Sequence, residues 1–155
     1  MKYYKKYLWL QMHSPDEKLR QEAKTKFRES AKEYGPYFEK IKSQLPEQFL
    51  EVFNDMKWFH DFSISSICVN NIAKSTTVKL TIEDDENRFV LKLSDVATIS
   101  MDIPNKNYWM PSGMKWGYTE FELFEDKWSI NILCDINCEL EFRFKSISCE
   151  RFVSK

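Results

Sequence analysis

At 155 residues, with 43% apolar and 15% aromatic side chains, the chain suits one domain and is too apolar to be disordered. A formal net charge of −1 supplies no basic field for nucleic acid or an anionic membrane, and three glycines leave little for a glycine-rich phosphate loop. No stretch approaches the roughly 20 apolar residues of a membrane span.

The first twelve residues combine a basic start with Tyr3, Tyr4, Tyr7, Leu8 and Trp9. The run is too short and too rich in tyrosine and lysine for a secretion signal, so it reads as a mature segment packed on the fold. Ser14-Pro15-Asp16-Glu17 predicts a helix start, with Ser14 as the cap and Glu17 completing a capping box. Leu19, Ala23, Phe27, Ala31 and Tyr34 then form an apolar stripe at helical spacing. Gly35-Pro36 predicts the end of that helix and the start of another through Tyr37, Phe38, Ile41 and Leu45. Pro46 interrupts again, and Phe49, Leu50, Val52, Phe53 and Met56 mark a third, short helix.

At Phe59-His60-Asp61-Phe62 the pattern changes from helical spacing to alternation, the mark of half-buried strands. Strands are expected over 62–69, 77–83, 88–93, 96–103, 118–124, 127–134 and 138–148. Val78, Leu80, Ile82, Phe89, Leu91, Ile130, Ile132, Phe142 and Phe144 face the core, with Lys79 and Thr81 outward. Glu83–Asn87, Glu125-Asp126 and 135–137 read as hairpin connections. A segregated helical block before a strand block predicts an α+β single domain over 1–155. Its helical part (1–58) packs on one face of a six- to seven-stranded, mainly antiparallel meander sheet (59–155). The helical part is the more basic: residues 1–60 carry 12 basic and 9 acidic side chains, the rest 11 and 15.

The one long interruption, 104–117, carries Tyr108, Trp109 and Trp116. It serves either as a cover for one end of the sheet or as an exposed recognition loop, because tryptophan, tyrosine and methionine are enriched at interfaces. With Tyr118, these aromatics are the candidate partner-binding residues. His60 and Asp61 offer an imidazole and a carboxylate, the tools of acid–base chemistry, and Glu120 could join them in a pocket. Adjacent strand residues point to opposite faces, however, so His60-Asp61 reads first as a structural junction. Glu120 and Glu122 fit the solvent face of a sheet. Cys134 and Cys138 flank a turn, but a second close pair that would complete a structural zinc site is missing. Cys68, Cys134, Cys138 and Cys149 are read as reduced core residues of a cytoplasmic protein, with no cofactor and no metal. No nucleophile elbow, phosphate loop or dinucleotide fingerprint occurs.

Three stretches carry a resemblance: Met1-Lys2-Tyr3-Tyr4 with Trp9, then Phe59-His60-Asp61-Phe62-Ser63-Ile64, then Trp116-Gly117-Tyr118-Thr119-Glu120 followed by closing strands that end Leu140-Glu141-Phe142-Arg143-Phe144. On these the chain is similar to a group of small uncharacterised proteins of Gram-positive bacteria, which enter their sheet with Leu-His-Asp-Ser-x-Ile. Phe62 stands where that pattern has serine. The resemblance implies an immunity-type partner of a bacterial toxin and implies no enzymatic activity. The leading expectation is therefore a non-enzymatic cytoplasmic bacterial protein acting through protein–protein binding, as an immunity or inhibitor protein. The alternative is a small enzyme or ligand binder with a pocket near His60, Asp61 and Glu120. A deep pocket lined by those side chains favours the alternative, and a flat aromatic patch the first.

Overall fold

The computed structural model describes residues 1–103, 114–135 and 138–152. The chain opens with a short helix α1 (Lys6–Met12), where a packed segment was expected. Helix α2 (Glu17–Ile41) follows, then a 3₁₀ turn (Lys42–Gln44) and α3 (Glu47–Asp55). Asp16, not Ser14, caps α2: its carboxylate accepts from the Lys18 and Leu19 amides at 2.9 and 3.2 Å. Gly35-Pro36 does not end the helix. Pro36 removes one amide donor, yet Ala23, Phe27, Tyr34, Phe38 and Ile41 form one continuous buried stripe across it. Burial of that stripe outweighs the lost hydrogen bond.

Among the described residues eight strands follow, one or two more than expected: β1 (Ser63–Ile72), β2 (Ser75–Glu83), β3 (Arg88–Ser94), β4 (Thr98–Asp102), β5 (Met114–Phe124), β6 (Lys127–Cys134), β7 (Glu139–Phe144) and β8 (Ser146–Phe152). All the pairings are antiparallel, in the order β4-β7-β6-β5-β1-β2-β3-β8. This is not the simple meander expected, because the edge positions are crossed. The single strand predicted over 138–148 is two, divided at Lys145. Strands β3 and β4 lie end to end, as do β7 and β8. Pairing runs from Arg88↔Phe152 to Ser94↔Ser146 and resumes from Thr98↔Arg143 to Asp102↔Glu139. Ala97 N–H to Arg143 O (2.7 Å) and Lys145 N–H to Ser94 O (3.0 Å) bridge the bend. Two long bent strands thus pair along their length, so that the sheet curls back on itself, with corners where strands pass from one half to the other.

All nine residues assigned to the core face are fully buried. Lys79 is exposed as expected, but Thr81 is buried and accepts a hydrogen bond from Ser66 Oγ at 3.0 Å. The helices do not keep to one face, since Trp9 of α1 packs on Tyr118, which shares a face of β5 with Glu120. Phe121 on β5 meets Phe38 of α2 and Phe49 and Phe53 of α3. Its neighbour Glu120 points to the opposite face, where residues 2–4 cover it. Helix α2 lies along the β5 edge between these two layers. The Tyr34 hydroxyl accepts from the Phe121 amide at 2.6 Å, and the Tyr37 hydroxyl from the Leu123 amide at 3.3 Å. One turn of α2 therefore satisfies two amides of a strand edge, which would otherwise be open to another chain. With both faces covered, β6 is buried from Trp128 to Cys134.

Candidate functional site

The junction between α3 and β1 concentrates unusual backbone. Lys57, Trp58 and Phe59 have φ of 48°, 62° and 58°, and Asp61 has φ of 72°. A non-glycine residue in this region costs about 1–2 kcal/mol, so the surroundings must impose the turn. Phe59 is fully buried against Phe53, Phe89 and Trp116. Trp58 stacks on Phe53 with ring centres 5.4 Å apart. Asp61 N–H to Trp116 O (2.8 Å) and Trp116 N–H to Phe62 O (2.7 Å) then tie the turn to β5.

The left-handed turn brings His60 and Asp61 together, contrary to the opposite-face expectation for a strand. His60 Nδ1 lies 3.0 Å from Asp61 Oδ2, and the imidazole meets the Tyr118 ring edge-on at 5.4 Å. Both side chains reach solvent, Asp61 almost completely. Beside them lies a cavity of about 200 Å³ lined by Tyr4, Lys57, Trp58, His60, Gly117, Tyr118 and Thr119. Burial, with the nearby Glu120 and Tyr118, pushes the Tyr4 phenol up to about 12. Burial and the Asp61 charge raise Tyr118 as well. Both phenols therefore stay neutral donors at physiological pH.

Gly117 sits where the β5–β6 register slips between Trp116 and Tyr118. A Cβ there would lie 2.6 Å from the Leu133 carbonyl oxygen, a backbone atom that cannot rotate away. Gly117→Ala should lower stability by about 1–3 kcal/mol, the usual cost of forcing extra volume into packed structure. Chemical denaturation checks this, and an unchanged midpoint would refute the close approach.

Glu120 is not part of the cavity. It is fully buried, accepts the Lys2 and Tyr3 amides at 2.7 Å each, and also accepts the Tyr4 amide. Its carboxylate fastens the N-terminal segment to the sheet, which corrects both its pocket assignment and its reading as a solvent-face residue. Trp116 is likewise corrected as a partner-binding residue. Strand β5 begins at Met114 and carries Trp116 into the core, where it is fully buried and its indole donates to Thr119 Oγ1 at 2.7 Å. Tyr118 is half-buried among Tyr4, Trp9 and Phe27. Tyr108 and Trp109 lie outside the described residues. Among the described residues, no group of three or more His, Cys, Asp or Glu side chains is placed to hold a metal.

The feature that the strand pattern did not single out is the outer edge of β1. Beyond Ser63 and Ile64, which pair with β5, Ser65 lies in a register slip and residues 66–72 pair only with β2 among the described residues. This stretch holds no charged residue and no proline. Val69 is 43% and Ile72 74% exposed, so the β1–β2 ribbon stands out from the core. A two-residue turn, Ala73 and Lys74 at φ of 48° and 70°, closes it.

No family model matches the chain, and no curated protein does. Among solved structures, an uncharacterized protein from Neisseria gonorrhoeae is similar with a TM-score of 0.46 and 17% identity. The match covers 59% of this chain and 92% of that one. Among the described residues, no helix is long and apolar enough to cross a membrane.

Proposed function

We propose that this is a non-enzymatic binding protein that takes an extended segment of a partner protein along the outer edge of β1. The edge itself carries the reading: eight consecutive uncharged residues, 65–72, with an unpaired side among the described residues. Proteins that do not use such an edge blunt it with lysine, proline or a cover, as α2 covers β5. In strand addition the main chain supplies affinity and alternate side chains supply specificity. Here Ile67, Val69 and Asn71 would present one face to the partner, and Cys68, Asn70 and Ile72 the other. The resemblance to immunity-type proteins favours an inhibitory role against a toxin-like partner, in a bacterial cytoplasm.

The second reading, a small enzyme or ligand binder at His60, has the His60–Asp61 contact in its favour. Against it, the cavity of about 200 Å³ falls below the roughly 300–1,000 Å³ usual for ligand pockets. Glu120, the second carboxylate that reading needs, is committed to backbone amides.

Replacing Val69 and Asn70 together by lysine should abolish capture of the partner that the wild-type chain retains. Stability should change by no more than about 0.5 kcal/mol, as for ordinary surface positions. Equal capture of the same partner by both chains would remove β1 from the function.

A further inference from the structure

We propose that Cys134 and Cys138 are a redox pair that closes to a disulfide when the protein meets hydrogen peroxide. The placement of the two residues carries the inference. The β6–β7 register runs Ile132↔Leu140 and Leu133↔Glu139, which sets Cys134 directly opposite Cys138. The Cys134 amide donates to the Cys138 carbonyl at 2.8 Å. Opposed residues joined in this way have Cα atoms about 5.5 Å apart, inside the window of roughly 4.4–6.8 Å that a disulfide spans. Directly opposed residues project their side chains from the same face of the ladder, so the two sulfurs are neighbours. Closure then draws the two Cβ atoms in by about 1 Å, from the roughly 5.5 Å of a hydrogen-bonded pair to the roughly 3.5–4.5 Å of a disulfide.

The two sulfurs are not equivalent. The hydrogen bond to Cys138, together with burial, holds the Cys134 thiol well above its ordinary range. The same hydrogen bond lowers Cys138 against the opposing effect of burial, with help from the Lys6 charge. Cys138 is thus the attacking sulfur and Cys134 the resolving one. Cys138 thiolate attacks one peroxide oxygen, forming a sulfenic acid and releasing hydroxide. The Cys134 sulfur then attacks the sulfenic sulfur, the S–S bond forms, and the departing hydroxide takes the Cys134 proton as water. Overall, two thiols and one peroxide give one disulfide and two waters. Both sulfurs are fully buried, which suits a small oxidant reaching them through local opening at a strand end.

The other two cysteines are controls. Cys68 is exposed on the β1 ribbon and would compete for oxidant. Cys149 lies in β8, and burial pushes its thiol up to about 12.

The test uses the full chain with Cys68→Ser, reduced and then treated with peroxide, unfolded, alkylated and cut with trypsin. Both sulfurs fall in one fragment, residues 128–143. The expected fragment is two hydrogen atoms lighter and unalkylated, and it takes two alkyl groups only after reduction, while Cys149 is alkylated throughout. A fragment alkylated at both cysteines, or carrying oxygen without the cross-link, would overturn the proposal. Two variants test the roles: Cys134→Ser should leave a sulfenic acid on Cys138 that dimedone traps, and Cys138→Ser should leave Cys134 unlabelled. Dimedone labelling in the reverse pattern would overturn the assignment of attacking and resolving sulfur.

Discussion

Glu120→Ala should destabilise the protein by about 3 kcal/mol, because buried donors lose the acceptor they were folded around. The amides of Lys2, Tyr3 and Tyr4 all end on this one carboxylate, which has no solvent exposure. Their contact fixes Tyr4 against Phe27 and Tyr118, so the loss extends to the packing of α1 and the N-terminal segment. For a chain of this length the melting temperature should fall by roughly 6–12 °C. Glu120→Gln should cost less, since one oxygen remains to accept the Tyr3 and Tyr4 amides while its new NH₂ group faces the Lys2 amide. A catalytic glutamate would behave differently: the fold would survive alanine and a turnover would vanish. A melting temperature unchanged by Glu120→Ala would contradict the anchoring role.

Phe53→Ala should cost about 3–5 kcal/mol, the range for removing a large aromatic side chain from a packed core. Phe53 has no exposure and touches Phe49, Trp58, Phe59 and Phe121 within 5.3–5.6 Å between ring centres. It is therefore shared by α3, the left-handed turn and the β5 side of the sheet. Loss of its ring would remove the packing that imposes positive φ on Lys57, Trp58 and Phe59. The His60–Asp61 contact should loosen with it, which the chemical shifts of the His60 ring would report. A cost below about 1 kcal/mol would mean that the turn is held by its hydrogen bonds rather than by the aromatic cluster.

Alternation made most of the sheet legible. Val78, Leu80 and Ile82 on β2 and Phe89 and Leu91 on β3 occupy the core positions that period two assigns them. The division of β7 from β8 was also written in the chain, as a slip of phase: Leu140, Phe142 and Phe144 are buried at even positions, then Ile147 at an odd one. Other features left no local trace. Glu120 looks like its neighbour Glu122 until a segment more than a hundred residues away covers it. The start of β5 hides in a stretch whose proline, glycine and tryptophan content reads as a loop. The left-handed turn uses lysine, tryptophan and phenylalanine, residues that do not favour positive φ, so only tertiary packing specifies it. The β1–β2 turn is similarly masked, because Ala73-Lys74 lacks the asparagine–glycine signature of such hairpins. That residues 66–72 of β1 pair only with β2 among the described residues is a property of pairing, and pairing partners are set by the whole topology.

The most direct test of the binding account is amide hydrogen exchange on the wild-type chain, alone and with the partner it captures. In the free protein, the β1 amides over 65–72 that point away from β2 should exchange quickly, while β6 amides remain protected between two covered faces. On binding, protection should appear along 65–72 in an alternating pattern, one amide in two, as a new strand takes the outward-pointing donors. Protection confined to the His60 and Tyr118 region, with 65–72 unchanged, would contradict strand addition and return the function to the junction cavity.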